Sequence, residues 1–295
     1  MRRIAIINQK GGVGKTTTAV NLSAALAEAG MRVCLMDLDP QAHSSLHYGL
    51  VLGPDDKSIY HCLTGQATLE EARHRIDDHL WVVPAHIDLA AAEMELAGEV
   101  GREIILREQV ERDNEEFDYL IIDCPPSLGV LTLNALTTAG EVFLPMQPHF
   151  LALHGFSKLL TTIELVAKRL NPVLALTGVL FCMHESGTRL AQEVINDIET
   201  FFDNERKKGG IWSDVVTFET RIRRNVRLAE APSYGQSIFQ YAPTSNGADD
   251  YRALAIEVLE QATFLPLLPE DEEPSTIVDA IQAIEEIVDD AKSAK

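Results

Sequence analysis

Asn8-Gln9-Lys10-Gly11-Gly12-Val13-Gly14-Lys15-Thr16-Thr17-Thr18, NQKGGVGKTTT in one-letter code, begins seven residues into the chain and decides the fold. A phosphate-binding loop reads Gly-x-x-x-x-Gly-Lys-Ser/Thr. Gly14, Lys15 and Thr16 supply its end, but Gln9 stands where the first glycine belongs, and Lys10 is a second lysine the pattern does not require. The central mechanics survive the change. Backbone N–H groups of Gly12 to Thr16, at the start of a helix, converge on an anion that the helix dipole also favours. Lys15 is expected to reach the β- and γ-phosphates of a nucleotide, and the Thr16 hydroxyl to hold Mg²⁺.

Such a loop works only if it is anchored on both sides. Arg3 to Asn8 is a short apolar run of the kind buried in a parallel sheet, and Thr17 to Ala29 carries Ala, Leu and Val on a core stripe, ended by Gly30. Further strand-like runs follow at Arg32–Asp37, Leu80–Pro84, Tyr119–Asp123, Val142–Met146 and Leu176–Met183, with helical stretches between them. The alternation predicts an α/β fold: one mostly parallel, twisted sheet with helices on both faces, and ligands at the carboxyl ends of the strands.

Acidic residues that end strands are therefore the candidates for chemistry. VCLMDLDPQ ends one strand with Asp37 and Asp39, and FDYLIIDCPPSLG ends another with Asp123. Pro125-Pro126 follows Asp123, so no helix starts there to be capped, and a carboxylate touching Mg²⁺ directly or through water is the better reading. For Asp37 and Asp39 taken alone a helix cap is a stronger alternative than it is for Asp123.

At 295 residues and 46% hydrophobic content the chain can bury a sizeable core. It lacks the charged-then-apolar start of a secretory signal, and no apolar run approaches the roughly 18 residues of a membrane span, so a cytoplasmic location is expected. Cys34, Cys62, Cys124 and Cys182 show neither metal-ligand nor disulfide spacing and read as buried thiols. The net charge of −20 argues against nucleic acid. The charge is uneven, however: residues 264–295 contribute nine acidic and two basic side chains, whereas Arg221 to Arg227 places four arginines in seven positions.

KGGVGKTTTAVNLSAALA, DLDPQ, DYLIIDCPPSLG and RNVRLAEAPSYGQSI, in this order, resemble the ParA/Soj branch of the deviant-Walker ATPases, which segregate chromosomes and plasmids. The likeness runs from about Arg3 to about Leu259. It implies a P-loop ATPase with ATP and Mg²⁺ as cofactors and slow hydrolysis when alone. It implies that Lys10 reaches across an ATP-bridged homodimer to the phosphates of the other subunit, a cation delivered in trans to charge that builds during phosphoryl transfer. Lys15 is the catalytic lysine on the phosphates of its own subunit, Asp39 matches the residue that orients the attacking water, Thr16 and Asp123 match the metal positions, and Thr17 a phosphate contact. Gly11, Gly12, Val13 and Gly14 line the nucleotide, and Asn225 helps to enclose the base. The ATP dimer is expected to bind double-stranded DNA without sequence preference, on the nucleoid, through Arg189, Arg223, Arg224 and Arg227. A ParB-like partner with a short basic N-terminal segment is expected to trigger hydrolysis and release.

Three departures from the family pattern stand out. Arg223 occupies a position that is commonly proline, Gly187 the position of a DNA-contacting arginine with Arg189 two residues on, and Pro148-His149 a place where glutamate is common. The expected domain spans residues 1–263. An acidic extension follows over 264–295, with Ile277, Ile281, Ile284 and Val288 on one helical face. Membrane-surface helices are rich in Lys and Arg, so this one disfavours a MinD-like membrane regulator. Positioning of a protein cargo on the nucleoid is the nearer alternative. An iron–sulfur ATPase would need a bridging cysteine pair that the spacing does not suggest, and the presence of both Lys10 and Asp39 argues against a purely structural nucleotide-binding module.

Overall fold

The computed structural model describes residues 1–148, 156–185 and 189–261. Runs without a polar face belong in a sheet covered on both sides. Val33–Asp37 (β2) and Tyr119–Asp123 (β5) are such runs, with every residue buried. They pair with each other, and β5 pairs on its other side with Arg2–Ile6 (β1). With His74–Arg75 (β3), Leu80–Val83 (β4), Glu141–Met146 (β6) and Ala175–His184 (β7), the order is β3-β4-β2-β5-β1-β6-β7. Two short strands, Val216–Thr217 (β8) and Ile222–Arg223 (β9), both pair with β7. Among the described residues each pairing is parallel except that of β3 with β4.

One face of the sheet is covered by Lys15–Glu28 (α1), Val226–Glu230 (α10), Ile238–Tyr241 (α11) and Asn246–Gln261 (α12). The other carries Ile59–Leu63 (α3), Leu69–Ala72 (α4), Leu89–Glu95 (α5), Ile105–Arg112 (α6), Val130–Thr138 (α7), Phe156–Arg169 (α8) and Arg189–Arg206 (α9). His43–His47 (α2) lies beyond the carboxyl end of β2. Because β1 sits between β5 and β6, the connections leaving β1 and β5 diverge to opposite faces and open a crevice at the strand ends.

The six strands expected from sequence are present, Tyr119–Asp123 with both ends as expected and the others with ends moved by at most two residues. Helix α1 starts at Lys15 instead of Thr17, because Gly14 at φ 101 turns the chain straight into it. The arginine-rich stretch contains β9, which the sequence pattern did not announce. Ile222 is buried there, while the Arg223 N–H donates to the Asp250 carboxylate at 2.9 Å.

Helix α12 braces the whole end of the molecule. Its Tyr251 hydroxyl meets Thr18 of α1 at 3.2 Å, and its Glu257 carboxylate accepts from the Glu219 and Thr220 N–H groups at 2.9 and 2.7 Å. Its Val258 carbonyl accepts from Arg2, whose guanidinium also forms a two-bonded pair with Glu141 at 2.7 Å. The acidic extension and His149 lie outside the described residues.

Gly178 in β7 leaves room for the edge-to-face pair Phe143–Phe218, since a Cβ there would stand 2.5 Å from Phe218 and 2.7 Å from Phe143. Gly178→Ala is expected to cost about 2 kcal/mol of unfolding free energy through overpacking, read as a lower denaturant midpoint at unchanged slope.

Candidate functional site

The loop between β1 and α1 is held by amide side chains. Asn8 accepts the Lys10 N–H at Oδ1 (3.0 Å) and donates to the Pro145 carbonyl at the end of β6 (2.8 Å), and Gln147 donates to the Gly12 carbonyl (3.3 Å). Gly12 and Gly14 have φ of 72 and 101, and a Cβ on Gly14 would lie 3.3 Å from Cys182. Gly14 therefore serves both the turn and the close approach to β7. Val13 is buried, whereas Lys10, Gly11 and Gly12 form the exposed rim.

Lys15 is buried, with Nζ 3.5 Å from the Lys10 carbonyl. Burial lowers its pKa, opposed by the charges of Asp123 and Asp39, which face it from the ends of β5 and of the loop after β2. Asp37 and Asp123 are register partners on adjacent strands, both fully buried. Both carboxyls are pushed up, chiefly by burial; the Asp123 charge adds to the rise at Asp37, and the Asp39 charge to that at Asp123. For Asp123 the hydroxyls of Ser44 and Thr16 and the Lys15 charge pull the other way.

Short helix α2 supplies the hydroxyls. Ser45 donates to Asp37 Oδ2 from both its hydroxyl (2.8 Å) and its N–H (2.9 Å), while Ser44 donates to Asp123 Oδ2 at 2.8 Å. Asp37 Oδ1 accepts the Asp39 N–H (3.1 Å), and Asp39 Oδ1 accepts the Gln41 N–H (3.0 Å). Asp37 thus anchors the loop that carries Asp39 and also takes a first-turn N–H of α2, that of Ser45. Asp123 Oδ1 is buried without a hydrogen-bond partner. An unpaired carboxylate oxygen near Lys15 and Thr16 fits a hard cation that needs one or two protein oxygens beside those of a phosphate.

Residues 1–176 match the family described as an AAA domain. The chain is 47% identical over 260 residues to the chromosome-partitioning ATPase Soj of Thermus thermophilus, covering 88% of this chain and 96% of that protein. It is 44% identical over 256 residues to the sporulation initiation inhibitor protein Soj of Bacillus subtilis, covering 86% and 97%. The chain belongs to the Soj/ParA family of chromosome-partitioning ATPases. Among solved structures, cobyrinic acid a,c-diamide synthase from Mycobacterium smegmatis with bound ATP analog and magnesium superposes with a TM-score of 0.75 at 35% identity, covering 92% of this chain and all of that one. The septum site-determining protein MinD from Pyrococcus horikoshii, complexed with Mg-ADP, gives 0.68 at 25%, covering 88% and 97%.

Lys10, Lys15, Thr16, Asp39 and Asp123, the positions carried over from the Soj/ParA pattern, meet at one end of the sheet. The arginines are placed differently from a bare basic patch, for each has a carboxylate: Arg221 with Glu199 (3.9 Å), Arg223 with Asp250 (2.6 Å), Arg224 with Glu185 (2.9 Å) and Arg227 with Glu230 (2.8 Å). Asn225 caps α10, its Oδ1 accepting the Arg227 N–H at 2.8 Å. The side chain of Arg189, which opens α9, and Gly187 lie outside the described residues. Sequence reasoning missed Asn8, Gln147, Ser44 and Ser45. Only the serines left a usable signal, as adjacent hydroxyls a few residues past an acidic strand end.

His47 on α2 is buried, its Nε2 has no hydrogen-bond partner, and burial with the nearby His43 pushes its pKa from 6.5 down to about 4. The unfolded chain binds that proton at higher pH than the native one, so this contribution is whole above pH 6.5 and is lost as pH falls from 6.5 toward 4. His47→Gln is expected to flatten the decline in unfolding free energy across that window, measured by denaturant titration at successive pH values.

Proposed function

We propose that the protein is an ATP-driven dimerisation switch of a partitioning system. Mg²⁺-ATP closes a nucleotide-bridged homodimer, the dimer binds double-stranded DNA without sequence preference, and a ParB-like partner with a basic N-terminal segment stimulates hydrolysis and release. The observation that carries this reading is the convergence of Lys15, Asp39 and Asp123 beneath a loop whose extra lysine, Lys10, lies on the exposed rim. Relatives of 40–47% identity bear partitioning names, which weigh more than the 35% likeness to a diamide synthase.

In this reading the N–H groups of Gly12 to Thr16 and the Lys15 ammonium hold the phosphates, with Gly11, Val13 and Thr17 completing the cradle and Asn225 near the base. Thr16 and Asp123 would hold Mg²⁺, whose role is to neutralise phosphate charge. Asp39 orients the attacking water, its carboxylate fixed through the Asp37 anchor. Lys10 of each subunit completes the site of the other, so nucleotide binding and dimerisation form one equilibrium. Residues 1–263 form the ATPase domain, and 264–295 an acidic extension. Among the described residues no helix is long and apolar enough to cross a membrane.

DNA binding follows from the cost of exchanging partners. Exposed ion pairs contribute little because water screens them, so Arg224 and Arg227 can trade a carboxylate for a phosphate cheaply. Arg223 is held by several bonds to Asp250, which is buried, and contributes less. The expected affinity is therefore modest and steeply salt-dependent.

Asp39→Ala should bind ATP, sediment as a dimer only with ATP, and then shift random duplex DNA at low salt. Lys10→Ala should bind ATP yet stay monomeric and lose about 10³-fold in hydrolysis, on the scale of a missing cationic finger. ATP-independent sedimentation of Asp39→Ala would sink the switch. Binding isotherms at several salt concentrations test the interface: Arg224→Ala and Arg227→Ala should each lower the slope of log K against log salt by about 1, with Arg223→Ala changing it less.

A further inference from the structure

We propose that Ser44 is a positioning residue for Asp123, fixing the plane of its carboxylate so that the oxygen Ser44 does not bind is presented to the metal and phosphate site. The inference rests on the nucleotide reading above and assigns a function to a side chain outside the loop motifs.

Four observations carry it. Asp123 and Ser44 are both fully buried, so neither can exchange its partner for water. The Ser44 hydroxyl donates to Oδ2 at 2.8 Å, while Oδ1 of the same carboxylate has no hydrogen-bond partner. A buried polar atom left unpaired is costly unless something else comes to occupy it. Ser45, the next residue, provides the contrast: it spends its hydroxyl and N–H on Asp37 Oδ2, and Asp37 Oδ1 is taken by the Asp39 N–H, so both oxygens of Asp37 are satisfied from within the chain. The two neighbouring carboxylates are thus treated differently, one closed on both oxygens and one closed on a single oxygen.

The backbone explains how one turn delivers two adjacent hydroxyls to two adjacent strands. Ala42 sits at φ 53 and turns the chain into α2, whose first residues then face the ends of β2 and β5. Ser45 is fastened from a third side, its Oγ accepting the Ala85 N–H at 3.0 Å beyond β4. Ser44 is held by the same turn, with its hydroxyl aimed at one carboxylate oxygen. Without it the Asp123 carboxylate could turn about its terminal bond and hold its plane at no fixed angle to the site. With it the plane is held by one bonded oxygen, in a carboxylate whose other neighbours are the Thr16 hydroxyl and the Lys15 charge.

Removing such an orienting partner characteristically costs 10–100-fold in metal affinity. The test uses the full chain and a fluorescent ATP analogue, measuring its affinity in EDTA and across a Mg²⁺ titration. Wild type is expected to bind more tightly with Mg²⁺. Ser44→Ala is expected to keep the EDTA affinity but to need about 10-fold more Mg²⁺ for the same tightening. Ser45→Ala, which removes an equally buried hydroxyl, should lower the thermal midpoint and leave the Mg²⁺ requirement in place. Should Ser44→Ala fail to fold, the pair Ser44→Thr and Ser44→Cys decides: the hydroxyl-bearing variant should retain the Mg²⁺ response and the thiol should weaken it. An unchanged Mg²⁺ requirement in Ser44→Ala, or equal weakening in Ser45→Ala, overturns the inference while the ATP reading stands. A wild-type protein whose analogue binding ignores Mg²⁺ overturns both.

Discussion

Two carboxylates, Asp37 and Asp123, end neighbouring central strands in register and out of contact with water, and the site is organised around that arrangement. Buried charges of one sign must be answered by donors and cations or they protonate. The answers come from three directions. Lys15 enters from the first turn of α1, two serines come from α2, and the Asp39 N–H folds back from the loop between. The phosphate loop and the loop that carries Asp39 are therefore parts of one electrostatic unit, although the sequence separates them by some twenty residues.

Much of this was legible in the chain. The sheet could be read because parallel strands buried on both faces leave unbroken apolar runs, as in Tyr119–Ile122, and the strand-end aspartates could be read because a carboxylate has no reason to sit there unless something binds it. The short strands β8 and β9 were not legible. Two residues carry no periodicity, and Ile222–Arg223 pairs with β7 in a stretch that α12, some thirty residues later, holds by taking the Arg223 N–H on Asp250 and the Glu219 and Thr220 N–H groups just before it on Glu257. The same distance hid the state of the arginines. Four positive charges in seven positions look like a patch until Glu199, Glu185 and Asp250 arrive from other elements.

The amide clamps were hidden for a different reason. Asn8 and Gln147 act on backbone groups, the Lys10 N–H and the Gly12 carbonyl, and a backbone partner leaves no trace in residue types. They matter to the loop because glycine-rich backbone has no side-chain packing of its own to define it. Rigidity at Gly12 and Lys10 is borrowed from β6 and from the segment just past it.

Helix α12 gives the molecule an order in time as well as in space. Proteins emerge from the ribosome N-terminus first, at roughly 5–20 residues per second, so the 233 residues between Thr18 and Tyr251 take roughly 10–50 s to make. For that interval the nascent chain holds a complete phosphate-loop sequence whose supporting helix, α1, has no cover over the face that α12 will bury. Leu22, Leu26 and Ala25 face the same core as Leu254 and Val258, and until those arrive they are apolar surface. The last described helix is thus the step that covers α1, and until it is made the growing chain carries that apolar face open.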